Sequence, residues 1–356
     1  MEISIYPRTQ FIERKVKLSK CALNYKLVGR GRRKALVLIH GNMLSSDIWR
    51  IVLDYVDEDY DVIAPDLRAF GKSDRCPVDA TRGVSDYSDD LVELLSMLKY
   101  EEYYVLGHSM GGNVALQMFI TKPRMFKSII LLAPGSPYGW GGTKDIYGTP
   151  CYDDYAGSGG GLIKLYNPEF LRLLKEKYRG IDHPASPRLL ARNLGSGGIQ
   201  LPEEVEEFFL EMIFQAEVGD DYYPGDYVKS PNWPYFAPGT RGVLNAISPK
   251  YLNQSSIVNI SEKVPVLWIH GENDIMVSNN SAMDPAVLGM VGIIPNYPGP
   301  DIYPPQPMLD QIKYVLERYE EKGGTVKVKI IPGGSHIPYL EKPKEVFEEV
   351  NDFLKP

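Results

Sequence analysis

Hydrophobic and polar positions alternate early, then change rhythm twice. Phe11 to Leu18 and Ala22 to Val28 carry the short alternation of half-exposed antiparallel strands. Ala35 to Ile39 is an unbroken aliphatic run closed by His40-Gly41, the pattern of a strand buried on both faces of a parallel sheet. Ser45 to Tyr55 follows as a helix opened by Ser45-Ser46-Asp47. The alternation then repeats. Tyr60 to Pro65, Tyr103 to Gly107 and Ser128 to Leu132 read as strands, and Ser85 to Lys99 and Met110 to Thr121 as helices. Strands separated by helices of this length imply βαβ units in an α/β fold with a doubly wound, mostly parallel sheet.

From about Pro134 to Glu262 that rhythm stops. Gly- and Pro-rich stretches such as Gly135 to Gly142, Gly157 to Gly161 and Ser230 to Pro238 surround helical patterns at Pro168 to Tyr178 and Pro202 to Val218. The sheet pattern resumes at Val264 to Ile269 and Thr325 to Ile331, with helices at Met308 to Glu321 and Lys344 to Leu354. The expected organisation is an α/β core from residues 1–134 and 263–356, with a helical, loop-rich cap inserted at 135–262. A second irregular insertion, 279–307, is placed near the site. Loops of that length in a compact domain are usually functional or mobile.

Composition narrows the classes. With 356 residues, 44% hydrophobic and 24% charged, the chain can bury a full core without staples. A net charge of -7 gives no broad attraction to nucleic acid or an anionic membrane. Cys21, Cys76 and Cys151 lie far apart and form no CxxC, so neither a disulfide framework nor a zinc site is expected, and no cofactor is called for. The amino-terminal stretch has no signal-like apolar run, and no apolar segment is long enough to span a bilayer. A soluble cytoplasmic protein is therefore expected.

The chemistry centres on Gly107-His-Ser-Met-Gly-Gly112, a G-x-S-x-G motif between a predicted strand and a predicted helix. A serine on so tight a turn needs small neighbours two residues to either side. Its hydroxyl points into open space, at a helix N-terminus that favours negative charge. The motif recurs by chance in about one chain in ten at ordinary Gly and Ser usage, so the partners of Ser109 decide its meaning. A serine nucleophile needs a histidine base and a carboxylate behind it. His40 and His270 each end a strand as Ile-His-Gly and read as packed residues bonded to backbone. His108 adjoins the serine and should point away, and His183 sits in the cap as a turn residue. His336, in Gly333-Gly-Ser-His336 after a strand, faces the sheet's carboxyl edge together with Ser109. Asp274, after the strand ending at Ile269, is the chosen acid; Glu272, Asp284 and Asp301 stand open as alternatives. The developing oxyanion would be held by the N–H groups of Met110 and Asn42.

Together, Ile39-His-Gly-Asn42 with Trp49, Asp66 to Ser73, Gly107 to Gly112, His270 to Asp274 and Gly334-Ser-His336 resemble the α/β-hydrolase superfamily, in its branch of capped serine hydrolases. The resemblance covers about two thirds of the chain and keeps the family's order Ser…Asp…His. Two features depart from the family pattern: Ala69 replaces a frequent glycine, and the 279–307 insertion lengthens the acid-to-histidine interval. A serine at position 109 sets the chain apart from the branches with an aspartate nucleophile. The family motifs say little about the substrate; the leading expectation is hydrolysis of a small-molecule carboxylic ester or lactone, semi-apolar to suit the cap aromatics, through an acyl-enzyme on Ser109. Amide hydrolysis, acyl transfer and carbon–carbon cleavage use the same triad, and a non-catalytic binding protein is the remaining alternative. Cap aromatics, among them Tyr138, Trp140, Tyr223, Trp233 and Phe236, are expected either to roof the site or to pack a subdomain poor in regular structure. The run from Glu203 to Asp226, which lacks Lys and Arg, reads as a solvated face.

Overall fold

A computed structural model describes residues 5–194 and 201–355. Residues 1–4, 195–200 and 356, in the amino-terminal stretch, the cap interval and at the chain's end, lie outside them. The described chain is built on one eight-stranded sheet. Its strands are β1 (Ile12–Lys17), β2 (Ala22–Val28), β3 (Lys34–Ile39), β4 (Asp61–Pro65), β5 (Glu102–His108), β6 (Phe126–Leu132), β7 (Pro265–Gly271) and β8 (Thr325–Ile331). They lie in the order β1-β2-β4-β3-β5-β6-β7-β8. β1 and β2 are antiparallel; from β4 onward the neighbours run parallel. Chain order reverses at β3, which lies between β4 and β5, so the loops leaving β3 and β5 open beside each other at the carboxyl edge.

The aliphatic runs behave as their sequence dictates. Leu36 to Ile39, Leu106 and Ile129 to Leu132 have almost no exposed surface, because helices cover both faces of the central sheet. Those helices include α1 (Ser85–Leu98), α2 (Met110–Thr121), α3 (Met308–Glu321) and α4 (Pro343–Leu354). α1 turns Leu91, Leu94 and Leu95 inward and stops at Lys99, whose left-handed φ of 56° breaks the helix. The Ser46–Tyr55 segment forms a 3-10 helix instead of the expected α-helix, capped by the Ser45 hydroxyl. Among the described residues no helix is long and apolar enough to cross a membrane.

The interval between β6 and β7 holds short helices at Gly161–Tyr166, Pro168–Lys175, Pro187–Leu194 and Glu203–Ile213, with several two- and three-residue strands. Two expectations are corrected here. Cys21 and Cys76 form a disulfide with their Cα atoms 6.0 Å apart. Their sequence separation of 55 concealed this, because β2 and β4 pair antiparallel and the chain beyond β4 returns to the start of β2, where Asp74 N–H donates to Ala22 O. Such bonds are uncommon in reducing compartments. The acidic stretch from Glu203 is also not simply solvated. Glu206 is buried and takes Arg188 (3.1 Å) and Arg192 (2.6 Å) from the preceding helix.

Candidate active site

Ser109 sits where β5 turns into α2, with φ 54° and ψ -123°. Three backbone bonds fix it there: Ser109 N–H to Leu132 O (3.0 Å), Gly112 N–H to Ser109 O (2.8 Å) and Gly135 N–H to Ser109 O (3.2 Å). A methyl group on Gly107 would lie 2.2 Å from Gly111 O, and one on Gly111 would lie 2.4 Å from Ile39 O. The two glycines therefore let the turn pack against itself and against the end of β3.

The loop after β8 brings His336 above this turn, and the loop after β7 brings Asp274 behind His336. His336 Nε2 lies 2.9 Å from Ser109 Oγ, and His336 Nδ1 lies 2.8 Å from Asp274 Oδ2. Asp274 Oδ1 accepts the N–H groups of Met276 (2.8 Å) and Val277 (2.9 Å). Burial alone would raise the Asp274 carboxyl, but the charge of His336 and the hydrogen bonds from His270 and His336 outweigh it and hold the group well below the usual carboxylate range. The other carboxylates point elsewhere. Glu272 is exposed and accepts Gly333 N–H, Asp284 caps a helix through Ala286 N–H, and Asp301 lies on the surface.

Asn42 and Met110 both line the cavity above Ser109. Met110 opens α2, whose first N–H groups have no intrahelical acceptor. Gly41 lets its loop close on the turn, since a methyl group there would lie 3.1 Å from Ser109 Cβ. The cavity measures about 160 Å³, and its other walls are mostly apolar. Met43, Leu44, Met276, Val277, Met283 and Met308 rise from the core and the edges of the second insertion; Trp140, Ile163, Leu190, Tyr223, Leu244 and Ile247 descend from the interval between β6 and β7. Among the described residues no Lys or Arg lines it. Of the aromatics expected overhead, Trp140 and Tyr223 reach the cavity. Trp233 and Phe236 instead form a separate buried cluster with Tyr303 of the second insertion, and the rings of Trp233 and Tyr303 lie 4.8 Å apart.

Two histidines take parts that the sequence reading missed. His108 is buried beneath His336, its Nε2–H bonded to His336 O at 2.9 Å, and burial first and His336 second push it down to about 3. It thus holds the histidine loop as a neutral donor. His270 bonds to backbone as expected, at Val277 O (3.0 Å), but the same Nε2 lies 3.1 Å from Asp274 Oδ2. The His–x–x–x–Asp spacing across a strand end is the signal that could have revealed it. His40 and His183 keep their backbone roles, at Leu67 N–H and Ala185 N–H.

A sequence model of the alpha/beta hydrolase fold matches residues 34–291, well over half of the chain. The chain belongs to the α/β-hydrolase family. Among curated relatives, an uncharacterized protein of Mycobacterium tuberculosis is 35% identical over 122 residues, covering 34% of this chain and 33% of the relative. The strigolactone esterase of Arabidopsis thaliana is 30% identical over 113 residues, 31% of this chain and 42% of the relative. The 2-hydroxy-6-oxo-6-phenylhexa-2,4-dienoate hydrolase of Comamonas testosteroni is 32% identical over 122 residues, 33% of this chain and 42% of the relative. The matches thus span about a third to under half of the length of these relatives. A bromoperoxidase structure from Bacillus anthracis superposes with a TM-score of 0.61 at 19% identity, covering 98% of this chain and all of the other. An esterase from Exiguobacterium antarcticum gives 0.60 at 15%, covering 97% and 100%. At such identities the likeness is one of fold.

Proposed function

We propose that this α/β-hydrolase is a serine hydrolase that cleaves a neutral, largely apolar carboxylic ester or lactone through an acyl-enzyme on Ser109. The observation that carries the reading is the continuous row Asp274–His336–Ser109, with spacings of 2.8 and 2.9 Å, ending at the floor of an apolar cavity. His336 Nε2 takes the hydroxyl proton as Ser109 Oγ attacks the carbonyl carbon, and Asp274 holds the ring in the tautomer that leaves Nε2 free to accept. The N–H groups of Asn42 and Met110 receive the oxyanion, a role in which one lost donor costs about 2.7–4 kcal/mol. His336 then hands its proton to the leaving alkoxide. Water, deprotonated by the same nitrogen, releases the acid and restores Ser109.

In this reading the interval 135–262 acts as the cap and, with the edges of the second insertion, sets the shape of the acyl pocket. The absence of Lys and Arg from the lining among the described residues favours uncharged esters over carbon–carbon cleavage of a dienoate. The carboxylate of a dienoate would enter such a site without a counter-ion, at a cost of several kcal/mol.

An alkyl fluorophosphonate should label the wild type once, and Ser109→Ala should abolish the labelling. In parallel, p-nitrophenyl butyrate and hexanoate should be turned over with kcat/KM at least tenfold above that of the hemisuccinate, whose acyl chain ends in a carboxylate. A folded wild type that stays unlabelled rules out the nucleophile. A preference for the hemisuccinate rules out the neutral-substrate assignment.

A further inference from the structure

Behind Asp274 the hydrogen-bonded row continues into the sheet. Trp268 and His270 are two residues apart on β7, so their side chains project from the same face. The indole Nε1–H of Trp268 donates to His270 Nδ1 at 3.3 Å, and His270 Nε2 faces both Val277 O (3.0 Å) and Asp274 Oδ2 (3.1 Å). An indole nitrogen can only donate and a carbonyl can only accept, so the two partners fix one tautomer, with His270 Nε2 protonated and Nδ1 bare. A second proton on Nδ1 would set N–H against N–H inside a group that is 2% exposed. His270 thereby presents its Nε2–H as a donor to Asp274 Oδ2 and Val277 O.

We propose that Trp268 and His270 are positioning residues of the catalytic row, His270 sharing Asp274 Oδ2 with His336 and so moderating the pull of the carboxylate on the His336 imidazolium. The proposal rests on the serine-hydrolase reading of the same site. Asp274 then receives four N–H groups, from Met276 and Val277 on one oxygen and from His270 and His336 on the other. Each donor withdraws charge that would otherwise favour protonated His336. The other groups facing His336 are few. Ser109 lies in front of it, neutral His108 lies beneath it with Tyr339 OH on its Nδ1, and the buried Glu341 is engaged by Ser335 N–H at 2.6 Å. His108 spends its Nε2–H on His336 O, and a carboxylate such as Glu341 has no N–H to offer Asp274 Oδ2, so neither replaces the His270 donor there. When the His270 donor is removed, the carboxylate charge concentrates on His336 and the base is protonated at higher pH. The acid limb of kcat/KM then moves upward.

The test compares the pH dependence of ester hydrolysis by wild type, His270→Gln, His270→Phe and Trp268→Phe. The Gln amide can place an N–H near the position of Nε2, whereas Phe fills the space without a donor. The Phe variant should shift its acid limb up by about one pH unit, a roughly tenfold loss at pH values below the limb, and Gln should restore the wild-type limb. A Phe limb that coincides with the wild type overturns the proposal, whatever the plateau height. Nitrogen-15 NMR of the unmodified protein decides it independently of folding in the variants. His270 should show a protonated Nε2 and a bare Nδ1 unchanged between pH 5 and 8, and Trp268→Phe should release that single tautomer. The opposite tautomer, or titration of His270 in this range, overturns the assignment. Fluorophosphonate labelling separates the two readings. An unlabelled wild type defeats the hydrolase reading, and the tautomer measurement still decides whether His270 is the fixed donor on Asp274.

Discussion

Ser109 occupies a backbone conformation that its side chain disfavours. At φ 54° and ψ -123° the residue lies in a region glycine enters freely, and other residues pay about 1–3 kcal/mol to hold it there. The comparison that isolates this strain is Ser109→Gly against Ser109→Ala. Both variants lose the hydroxyl and its contact with His336, so those losses cancel. Glycine relieves about 1–3 kcal/mol of strain but gives back about 0.5–1 kcal/mol through its freer unfolded chain. The Gly variant should therefore exceed the Ala variant by about 0.5–2 kcal/mol. At a position with ordinary φ the order would be reversed, by about 0.5–1 kcal/mol in favour of alanine. For 356 residues, at about 2.1 cal/mol/K each, the expected gap in Tm is about 1–3 °C. Paired scanning calorimetry at one scan rate measures it, and both proteins should be inert toward esters and phosphonates. An Ala variant that melts with or above the Gly variant would refute the claim that three backbone bonds hold this turn under strain for the sake of the hydroxyl.

Asp274→Asn should lower kcat by about four orders of magnitude, because the amide offers His336 a donor where it needs an acceptor. Glu272→Gln, at an exposed bond to Gly333 N–H, serves as the control within threefold of wild type in p-nitrophenyl ester assays. Cys76→Ser should cost about 4 kcal/mol in urea unfolding, the chain-entropy value for closing a loop of about 55 residues, and dithiothreitol should lower wild type to the same level while leaving the variant unaffected. Asp284 is pushed up to about 6 by burial. Because its folded value exceeds its unfolded value, its contribution is present at low pH and is lost as pH rises through 6, by about 2–3 kcal/mol between pH 4 and 8. Unfolding measured at both pH values should show Asp284→Asn losing that much less than wild type over the interval.

What the sequence made legible depended on whether a signal was local. The β3 and β6 runs are local, since each residue is buried by the same two helical layers, and their strands appear within two residues of expectation. The Ser109 turn is local in its motif: Gly107 is demanded by Gly111 O of the same turn, although Gly111 is demanded by Ile39 O at the end of β3. His336 and Asp274 could be found at long range because loops leaving parallel strands share an edge, a regularity of the fold independent of their neighbours' identities. The Cys21–Cys76 bond, the Glu206 ion pairs and the His270 contact have no such rule behind them. Each needs a register or an approach of two segments that periodicity leaves undetermined. The aromatic residues show the same limit. Trp140 and Tyr223 reach the cavity while Trp233 and Phe236 pack on Tyr303, yet all four stand in similar Gly- and Pro-rich surroundings.

This division has a mechanical side. The nucleophile, acid and base all lie at or just beyond the ends of β5, β7 and β8, three strands whose register is fixed by parallel ladders with each other, with β3 or with β6, the one shift between β5 and β6 falling at Tyr103, away from the Ser109 turn. The cavity walls come largely from segments without long ladders, held instead by side chains such as Gln306 and Gln311, which bond to each other at 2.8 Å, Gln311 also accepting the Ser136 hydroxyl. Replacing wall residues therefore alters the volume offered to an acyl group without moving the strand ends, whereas a shift of about 1 Å at those ends would cost on the order of a hundredfold in rate. A substitution such as Met283→Ala should change the preferred acyl length while leaving phosphonate labelling of Ser109 intact. If labelling falls in parallel with turnover of every ester, wall and row are mechanically coupled and the division fails.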